Sequence, residues 1–187
     1  RALRGRYDKL VSIEMIEAVG PNFLDTYFRQ CASLLDRDGL MLLQAITMSD
    51  QRYEAYLRSA DFIQKHVFPG SSLPSVTTLC QSMTRASDFR LVHLEDFTAH
   101  YPITLRHWRR SFFENLDAVR RLGYSERFIR LWDYYLCSSE VGFEERYIGD
   151  VHMLLAKPAH RYTALELKAA LQERLDSLRT FLLEVNQ

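Results

Sequence analysis

The sequence predicts an α/β fold whose first two strands are parallel, and three segments carry that prediction. Residues 7–20 contain an apolar run that stops at Gly20-Pro21, a pattern typical of a strand covered on both faces. Apolar residues recur at helical spacing over 22–35, and a second apolar run covers 40–48. Strand, helix and strand in this order predict a βαβ unit with a right-handed crossover.

The later segments extend this alternation. The two-proline stretch 68–75 favours a loop that ends at a helix start near Ser75, and Ser125 is a plausible N-cap for a helix with Glu126 in its first turn. Alternating apolar and polar residues predict a strand before Phe97. The predicted segments are a turn at 36–39, helices at 50–66, 75–86, 104–122 and 125–143, and strands at 89–97 and 150–156.

Composition limits the classes of function. The chain has 187 residues, is 47% hydrophobic and carries no net charge, which predicts one globular domain and does not favour bulk nucleic acid as a partner. Its three cysteines are far apart and lack metal-ligand spacing, so we expect a reduced, cytoplasmic protein with no metal site. Because the chain begins with Arg1 directly before a core strand, we expect a fragment of a longer protein.

Two helical segments leave alternatives open. In 104–122 one face is apolar and the other carries five arginines, which favours either a solvated, ion-paired face or contact with anionic lipid. In the tail, Thr163 and Glu166 form a capping box ahead of a leucine seam over 163–185. That helix packs back on the domain or forms an oligomer contact. The arginines are Arg106, Arg109, Arg110, Arg120 and Arg121.

Polar residues at the predicted strand ends are the candidate site. Glu17 follows the first strand, Gln44 and Ile46 lie near the end of the second, and Tyr101 follows the third. Because ligands of open α/β sheets bind beyond the carboxyl ends of the strands, these residues can form one polar pocket. The alternative is ordinary strand-end residues in water. No glycine-rich phosphate loop or nucleophile motif occurs in the chain.

Three stretches together resemble one family. They are SIEMIEAVG at 12–20, DFIQKHVFPGSSLPS at 61–75 and YSERFIRLWDYYLCSSEVGFEERYIGDVHMLLAKP at 124–158. They are similar to the cyclopropane-fatty-acyl-phospholipid synthases and the mycolic acid cyclopropane synthases. The resemblance implies that 1–158 is the C-terminal half of a class I S-adenosylmethionine-dependent methyltransferase. That half has a Rossmann-like mixed sheet with helices on both faces and lacks the N-terminal cofactor-binding half. Residues 159–187 would add a C-terminal amphipathic helix.

The resemblance also implies a reaction and a site. Family members transfer a methyl group from S-adenosylmethionine to a cis double bond of an acyl chain, and a bound bicarbonate ion is the base. By the matching motifs, Glu17, the backbone of Ile46 and Tyr101 would contact bicarbonate. Gln44 stands where the best-known members have His, and it can hydrogen-bond the ion but cannot relay a proton.

Further expectations concern the cofactor, the substrate and the partners. Ser12 and Ile13 would touch the methionine part of S-adenosylmethionine, and Phe68, Tyr53 and Tyr56 would offer π faces to a carbocation. We expect the protein at the inner membrane surface, acting on phospholipid acyl chains, with a homodimer or the missing N-terminal half as partner. The alternative is a non-catalytic lipid-binding or partner subunit without a cofactor site of its own. The isolated chain should bind S-adenosylmethionine weakly.

Overall fold

A four-stranded mixed sheet forms the centre of the protein, of which a computed structural model describes residues 3–161. The strand order is β1-β2-β4-β3. Strands β1 and β2 are parallel, whereas β4 is antiparallel to both of its neighbours. The predicted α/β class with a mixed sheet is confirmed. The strands are β1 (Tyr7–Ile13), β2 (Leu35–Met48), β3 (Arg90–Asp96) and β4 (Ile148–Ala156).

Helices cover both faces of this sheet. Caps form where the sequence predicts them, since the Ser75 hydroxyl accepts the Thr78 N–H and the Ser125 hydroxyl accepts the Phe128 N–H, each at 3.2 Å. The helices are α1 (Leu24–Leu34), α2 (Asp50–Tyr56), α3 (Phe62–His66), α4 (Val76–Ala86), α5 (Tyr101–Glu114), α6 (Leu116–Arg121) and α7 (Glu126–Glu144), with 3₁₀ turns at Ile16–Ala18, Pro21–Phe23 and Thr98–His100.

The two faces of the sheet differ in chemistry, because side chains alternate along each strand. Helices α1 and α4 pack on the face that carries Leu43 of β2 and Met153 of β4, and together they form the main core. Ile46 of β2 instead packs near Leu105 of α5 and Leu136 of α7. The second face therefore also receives Gln44 of β2 and Asp150 and His152 of β4, which are polar.

The prediction that the first strand is covered on both faces is wrong for this chain. Among the described residues β1 pairs only with β2, so it forms an edge of the sheet. The side chains of Val11 and Ile13 are 58% and 56% exposed. Leu10 and Ser12 of β1 face the main core, whereas Val11 and Ile13 lie on the opposite face of the strand, which is exposed.

Three predicted boundaries also need correction. The helix predicted at 50–66 is two short helices, α2 and α3. The predicted turn at 36–39 lies within β2, where the register shifts between the pairs Tyr7–Leu35 and Lys9–Leu40, so these residues bulge from the ladder. The helix predicted at 104–122 breaks at Asn115, whose side-chain amide donates to the Ser111 carbonyl at 2.8 Å.

The arginines of α5 and α6 are largely ion-paired. Arg106 contacts Glu140 and Glu144 of α7, and Arg109 lies 2.6 Å from Asp133. The opposite, apolar face is only partly covered, since Leu105 is buried whereas Trp108 is 53% exposed. No helix among the described residues is long and apolar enough to cross a membrane. The predicted tail helix over 163–185 lies outside the described residues.

Candidate functional site

Glu17 is held at the end of β1 by the neighbouring strand. It lies in the 3₁₀ turn Ile16–Ala18, and its side chain is 9% exposed. Its Oε1 accepts the backbone N–H of Ile46 at 2.7 Å, while Oε2 is enclosed without a hydrogen-bond partner among the described residues. The structure therefore joins two of the predicted site residues, and one carboxylate oxygen of Glu17 remains for another contact.

Glu14 is the acceptor on which two other predicted residues converge. Its Oε1 accepts both the Tyr101 hydroxyl and the Gln44 amide, each at 2.8 Å. The backbone of Glu14 has φ +48°, a left-handed conformation that is uncommon for a residue with a Cβ. This conformation follows directly after β1, where the Glu14 N–H still bonds the Gln44 carbonyl at 3.1 Å. The unusual turn places the Glu14 carboxylate between α5 and β2.

The other contacts of Gln44 come from β4. Its amide nitrogen also donates to Asp150 Oδ2 at 3.1 Å, and its Oε1 lies 3.0 Å from His152 Nε2. Asp150 is fully buried, and its Oδ1 is enclosed without a hydrogen-bond partner among the described residues. Residues 150 and 152 share the second face of the sheet because they are two positions apart on one strand.

Burial and crowding of carboxylates dominate the electrostatics of the site. Loss of hydration, together with the nearby charges of Glu14 and Glu17, raises the pKa of Asp150 to about 8. Burial also raises the pKa of Glu17, to which Glu14 adds a smaller effect. Burial, followed by the hydrogen bond to Glu14, raises the pKa of Tyr101, so the phenol stays a donor. Asp150 therefore holds its proton at neutral pH.

Aromatic rings form one wall of the site. The Tyr101 ring stacks on Phe143 of α7 with 4.2 Å between centroids. Tyr135 of α7 lies edge-to-face with Phe68 at 5.8 Å, and the charge of Glu14 contributes to its raised pKa, after burial. Phe68 is 49% exposed. These rings give the polar cluster an apolar border on the side of α7.

The remaining predicted contacts lie apart from this cluster. Tyr53 and Tyr56 pack with Met48 in a separate buried group, where the Tyr56 hydroxyl accepts the Leu73 N–H at 3.0 Å. Through those contacts the two tyrosines pack against the loop that precedes α4. At the predicted cofactor position, the Ser12 hydroxyl is buried and accepts the Tyr27 hydroxyl at 2.6 Å, whereas Ile13 is 56% exposed.

The donors expected to bind bicarbonate already have partners in this chain. The Ile46 N–H bonds Glu17, the Tyr101 hydroxyl bonds Glu14, and the Gln44 amide bonds Glu14 and Asp150. A bicarbonate ion would have to displace Glu14 from two of these donors and lie among carboxylates. The residues present therefore fit an internal carboxylate better than a separate anion. Among the described residues, no His, Cys, Asp and Glu side chains group as metal ligands.

Sequence reasoning missed Glu14, Asp150 and His152. A signal for the last two exists, because they are polar residues two positions apart within an apolar strand, which predicts a shared polar spot. Glu14 carries a similar signal, because it stands two positions after Ser12 within an apolar run, but this spacing does not predict its partners. Its role depends on a positive φ and on contacts to residues 30 and 87 positions away.

Comparisons with known proteins support one family. A family model for mycolic acid cyclopropane synthetase matches residues 1–153. The tuberculostearic acid methyltransferase of Mycobacterium tuberculosis is 38% identical over 148 residues, which are 79% of this chain and 35% of the relative. The cyclopropane-fatty-acyl-phospholipid synthase of Escherichia coli is 34% identical over 146 residues, 78% of this chain and 36% of the relative. The chain thus spans about a third of the length of these curated relatives.

Solved structures of cyclopropane synthases have a similar fold. The mycolic acid cyclopropane synthase CmaA1, complexed with SAH and CTAB, superposes with a TM-score of 0.74 at 26% identity, over 83% of this chain and 57% of that chain. The cyclopropane synthase MmaA2 from Mycobacterium tuberculosis gives a TM-score of 0.73 at 23% identity with the same coverage, which supports the fold. With its class I methyltransferase architecture and a family match over 1–153, the chain belongs to the mycolic acid cyclopropane synthetase family.

Proposed function

We propose that the protein catalyses S-adenosylmethionine-dependent transfer of a methyl(ene) group to the cis double bond of an unsaturated acyl chain in phospholipid. Relatives named for lipid substrates support this, including the tuberculostearic acid methyltransferase and a sphingolipid C9-methyltransferase of Candida albicans, which is 33% identical over 137 residues. The observation that carries the proposal is the convergence of Tyr101 and Gln44 on Glu14, with Glu17 beside them, against an aromatic wall.

The cofactor supplies an electrophilic methyl group when bound. Once that methyl has added to one alkene carbon, the acyl chain carries a positive charge and must lose one proton. Electron-rich faces of Tyr101 and Tyr135 can stabilise the cation. A carboxylate beside them can take the proton, because a base must lie within hydrogen-bonding reach of the proton that it removes.

We propose Glu14 as that base, in the place where the family resemblance implies bicarbonate. Tyr101 and Gln44 both donate to Glu14 Oε1, so they fix the direction of the carboxylate. Bicarbonate is then not needed as the base, since the proton acceptor is a side chain of the protein. Glu17 lies beside it with one buried oxygen free of hydrogen bonds among the described residues, and its negative charge favours the cation.

The product is a cyclopropane ring if the proton leaves the added methyl group and the ring closes. The second candidate product is a methylene-branched chain, which forms if a hydride moves from the methylated carbon to the cationic carbon before the added methyl group loses the proton. The 38% identity to the tuberculostearic acid methyltransferase favours a branched product. A non-catalytic lipid-binding or partner subunit is the alternative function, and the lack of a glycine-rich loop in these residues favours it. For both candidate functions, enzyme and non-catalytic subunit, we propose that the protein acts at a phospholipid surface on the cytoplasmic side of the membrane.

Methyl transfer tests the proposal directly. The full-length protein is incubated with S-adenosylmethionine carrying a deuterated methyl group and vesicles of phosphatidylglycerol with monounsaturated chains. The released fatty acids are compared by mass spectrometry with cyclopropane and methylene-branched standards. We expect deuterium in the acyl chains and none when the chains are saturated. Cofactor binding without incorporation of label would contradict the enzyme, and a lack of both cofactor binding and label would support the partner subunit.

A further inference from the structure

The amide of Gln44 lies between two side chains of β4 that no family motif singles out. Asp150 Oδ2 lies 3.1 Å from the amide nitrogen and His152 Nε2 lies 3.0 Å from the amide oxygen. The amide nitrogen also contacts Glu14 Oε1 at 2.8 Å. Every group of the Gln44 amide is thus engaged, and two of the three contacts come from one strand.

These contacts determine which end of the amide faces Glu14. The end near Glu14 must be the NH₂ group, since the Glu14 carboxylate only accepts hydrogen bonds, and Asp150 Oδ2 can accept from the same NH₂ group. The opposite end is then the carbonyl oxygen, so His152 must donate from Nε2. An amide turned by 180° would set its oxygen against Glu14 and lose both contacts. The orientation of Gln44 follows from its β4 neighbours.

We propose that Asp150 and His152 are positioning residues that clamp the Gln44 amide so that its NH₂ group points at Glu14. This inference rests on the proposed function of Glu14 as the base. The clamp follows from the register of the sheet. Gln44 and His152 are direct partners in the β2–β4 ladder, and Asp150 is two residues before His152 on β4. The Asp150 backbone is itself fixed, because its N–H bonds the Thr98 hydroxyl at 3.0 Å and its carbonyl accepts the Phe97 N–H at 3.1 Å.

Asp150 acts in this clamp as a neutral acid. It is fully buried, and Oδ1 has no hydrogen-bond partner among the described residues, as suits a carboxyl that keeps its proton. Burial and the charges of Glu14 and Glu17 raise its pKa to about 8, in agreement with this geometry. The other titratable groups around the cluster are Tyr101 from α5, Tyr135 from α7, His152 from β4 and, beside His152, Glu95 from β3.

A neutral Asp150 has a consequence for the base. An ionised Asp150 would place a second negative charge on the Gln44 amide nitrogen and repel the Glu14 carboxylate. A protonated Asp150 still accepts a hydrogen bond from the Gln44 NH₂ group. Glu14 then carries the negative charge next to the same amide. Asn is the closest neutral substitute, since its amide oxygen can also accept from Gln44.

The side-chain amide of Gln44, observed by ¹⁵N NMR in the full-length protein, tests the clamp without reference to activity. We expect the Asp150→Leu variant to move both NH₂ proton resonances and to speed their exchange with solvent by about tenfold or more. Asp150→Asn should change exchange little. The Gln64 amide, which bonds the Ser71 carbonyl at 2.9 Å, is the internal control and should not change. An unchanged Gln44 amide in Asp150→Leu would overturn the proposal.

A double-mutant cycle then relates the clamp to turnover. We expect Asp150→Leu and Gln44→Ala each to lower kcat by roughly 10- to 100-fold with a small effect on KM, and the double variant to lose no more than the larger single effect. Losses that multiply would overturn the role of Asp150 through Gln44. If Asp150→Leu does not fold, His152→Leu replaces it in both experiments with the same criteria. A changed amide with unchanged turnover would support the clamp and contradict the proposed function.

Discussion

At the scale of single residues, the two carboxylate oxygens of Glu17 have different surroundings. The Ile46 N–H fixes one oxygen at 2.7 Å, and the other oxygen is buried without a partner among the described residues. A Gln side chain at this position retains the acceptor for Ile46 and removes the charge. The charge and the structural contact can therefore be separated by one substitution.

We expect Glu17→Gln to lower kcat of the full-length protein by about 100-fold or more, while the binding of S-adenosylmethionine and the fold stay unchanged. Deuterated-methyl transfer measures the rate, and calorimetry measures cofactor binding. Glu54→Gln is the control, because the Glu54 side chain is 82% exposed and should tolerate the change. Unchanged turnover in Glu17→Gln would remove this carboxylate from the mechanism.

The raised pKa of Asp150 predicts a pH dependence of stability. The unfolded chain releases this proton near its ordinary pKa of 3.8, whereas the folded chain holds it up to about 8. The folded state binds the extra proton between these values, so the contribution of Asp150 to stability is lost as pH rises through this window. We expect Asp150→Asn to remove that part of the loss, measured as the free energy of unfolding in urea at pH 5 and pH 8. An identical decline in both proteins would contradict the assignment.

At the scale of elements, most segments are predictable from local signals. The strands and α4 and α7 follow the apolar runs and the serine caps. The break at Asn115 was not predicted, because the apolar spacing continues across it and only the side-chain bond to Ser111 reveals it. The exposure of Val11 and Ile13 in β1 does not follow from the apolar run itself, since the burial of a strand depends on its surroundings as well as on its own residues.

The cap of α7 offers an element-scale prediction. Ser125→Ala removes the acceptor for the Phe128 N–H and should lower the free energy of unfolding by about 1 kcal/mol. Chemical denaturation followed by circular dichroism measures the change. Ser111→Ala, at an exposed position within α5, is the matched control and should leave stability unchanged or slightly higher. Equal losses in both variants would show that the cap contributes nothing.

At the scale of the whole molecule, the site arises from sheet topology. The insertion of β4 between β2 and β3 brings Asp150 and His152 next to Gln44, 106 and 108 residues away. Sequence reasoning placed Glu17, Gln44, Ile46 and Tyr101 near one rim, and the hydrogen bonds join them through Glu14 and Glu17. It could not place Glu14 in the centre, because this requires the exact directions of α5 and β2.

The exposed edge of β1 predicts weak cofactor binding by the 187-residue chain alone. Val11 and Ile13 are largely exposed, and the Ser12 hydroxyl already has Tyr27 as its partner. Few groups remain for the methionine part of S-adenosylmethionine, and the chain has no glycine-rich loop. We expect calorimetry to give no binding, or a dissociation constant well above about 1 mM, which is a binding free energy weaker than about −4 kcal/mol. Tight binding by this chain would contradict that expectation.

The central claim is that Glu14 is the base of a lipid methyl transfer. Bicarbonate dependence of turnover tests it most directly, measured in carbon dioxide-free buffer with and without added bicarbonate, for the unmodified full-length protein and for Glu14→Ala. We predict that the unmodified protein does not respond to bicarbonate. Glu14→Ala, which frees Tyr101 and Gln44, should lose most of its turnover and regain part of it when bicarbonate is added. An unmodified protein that stops without bicarbonate, together with a fully active Glu14→Ala variant, would contradict the account.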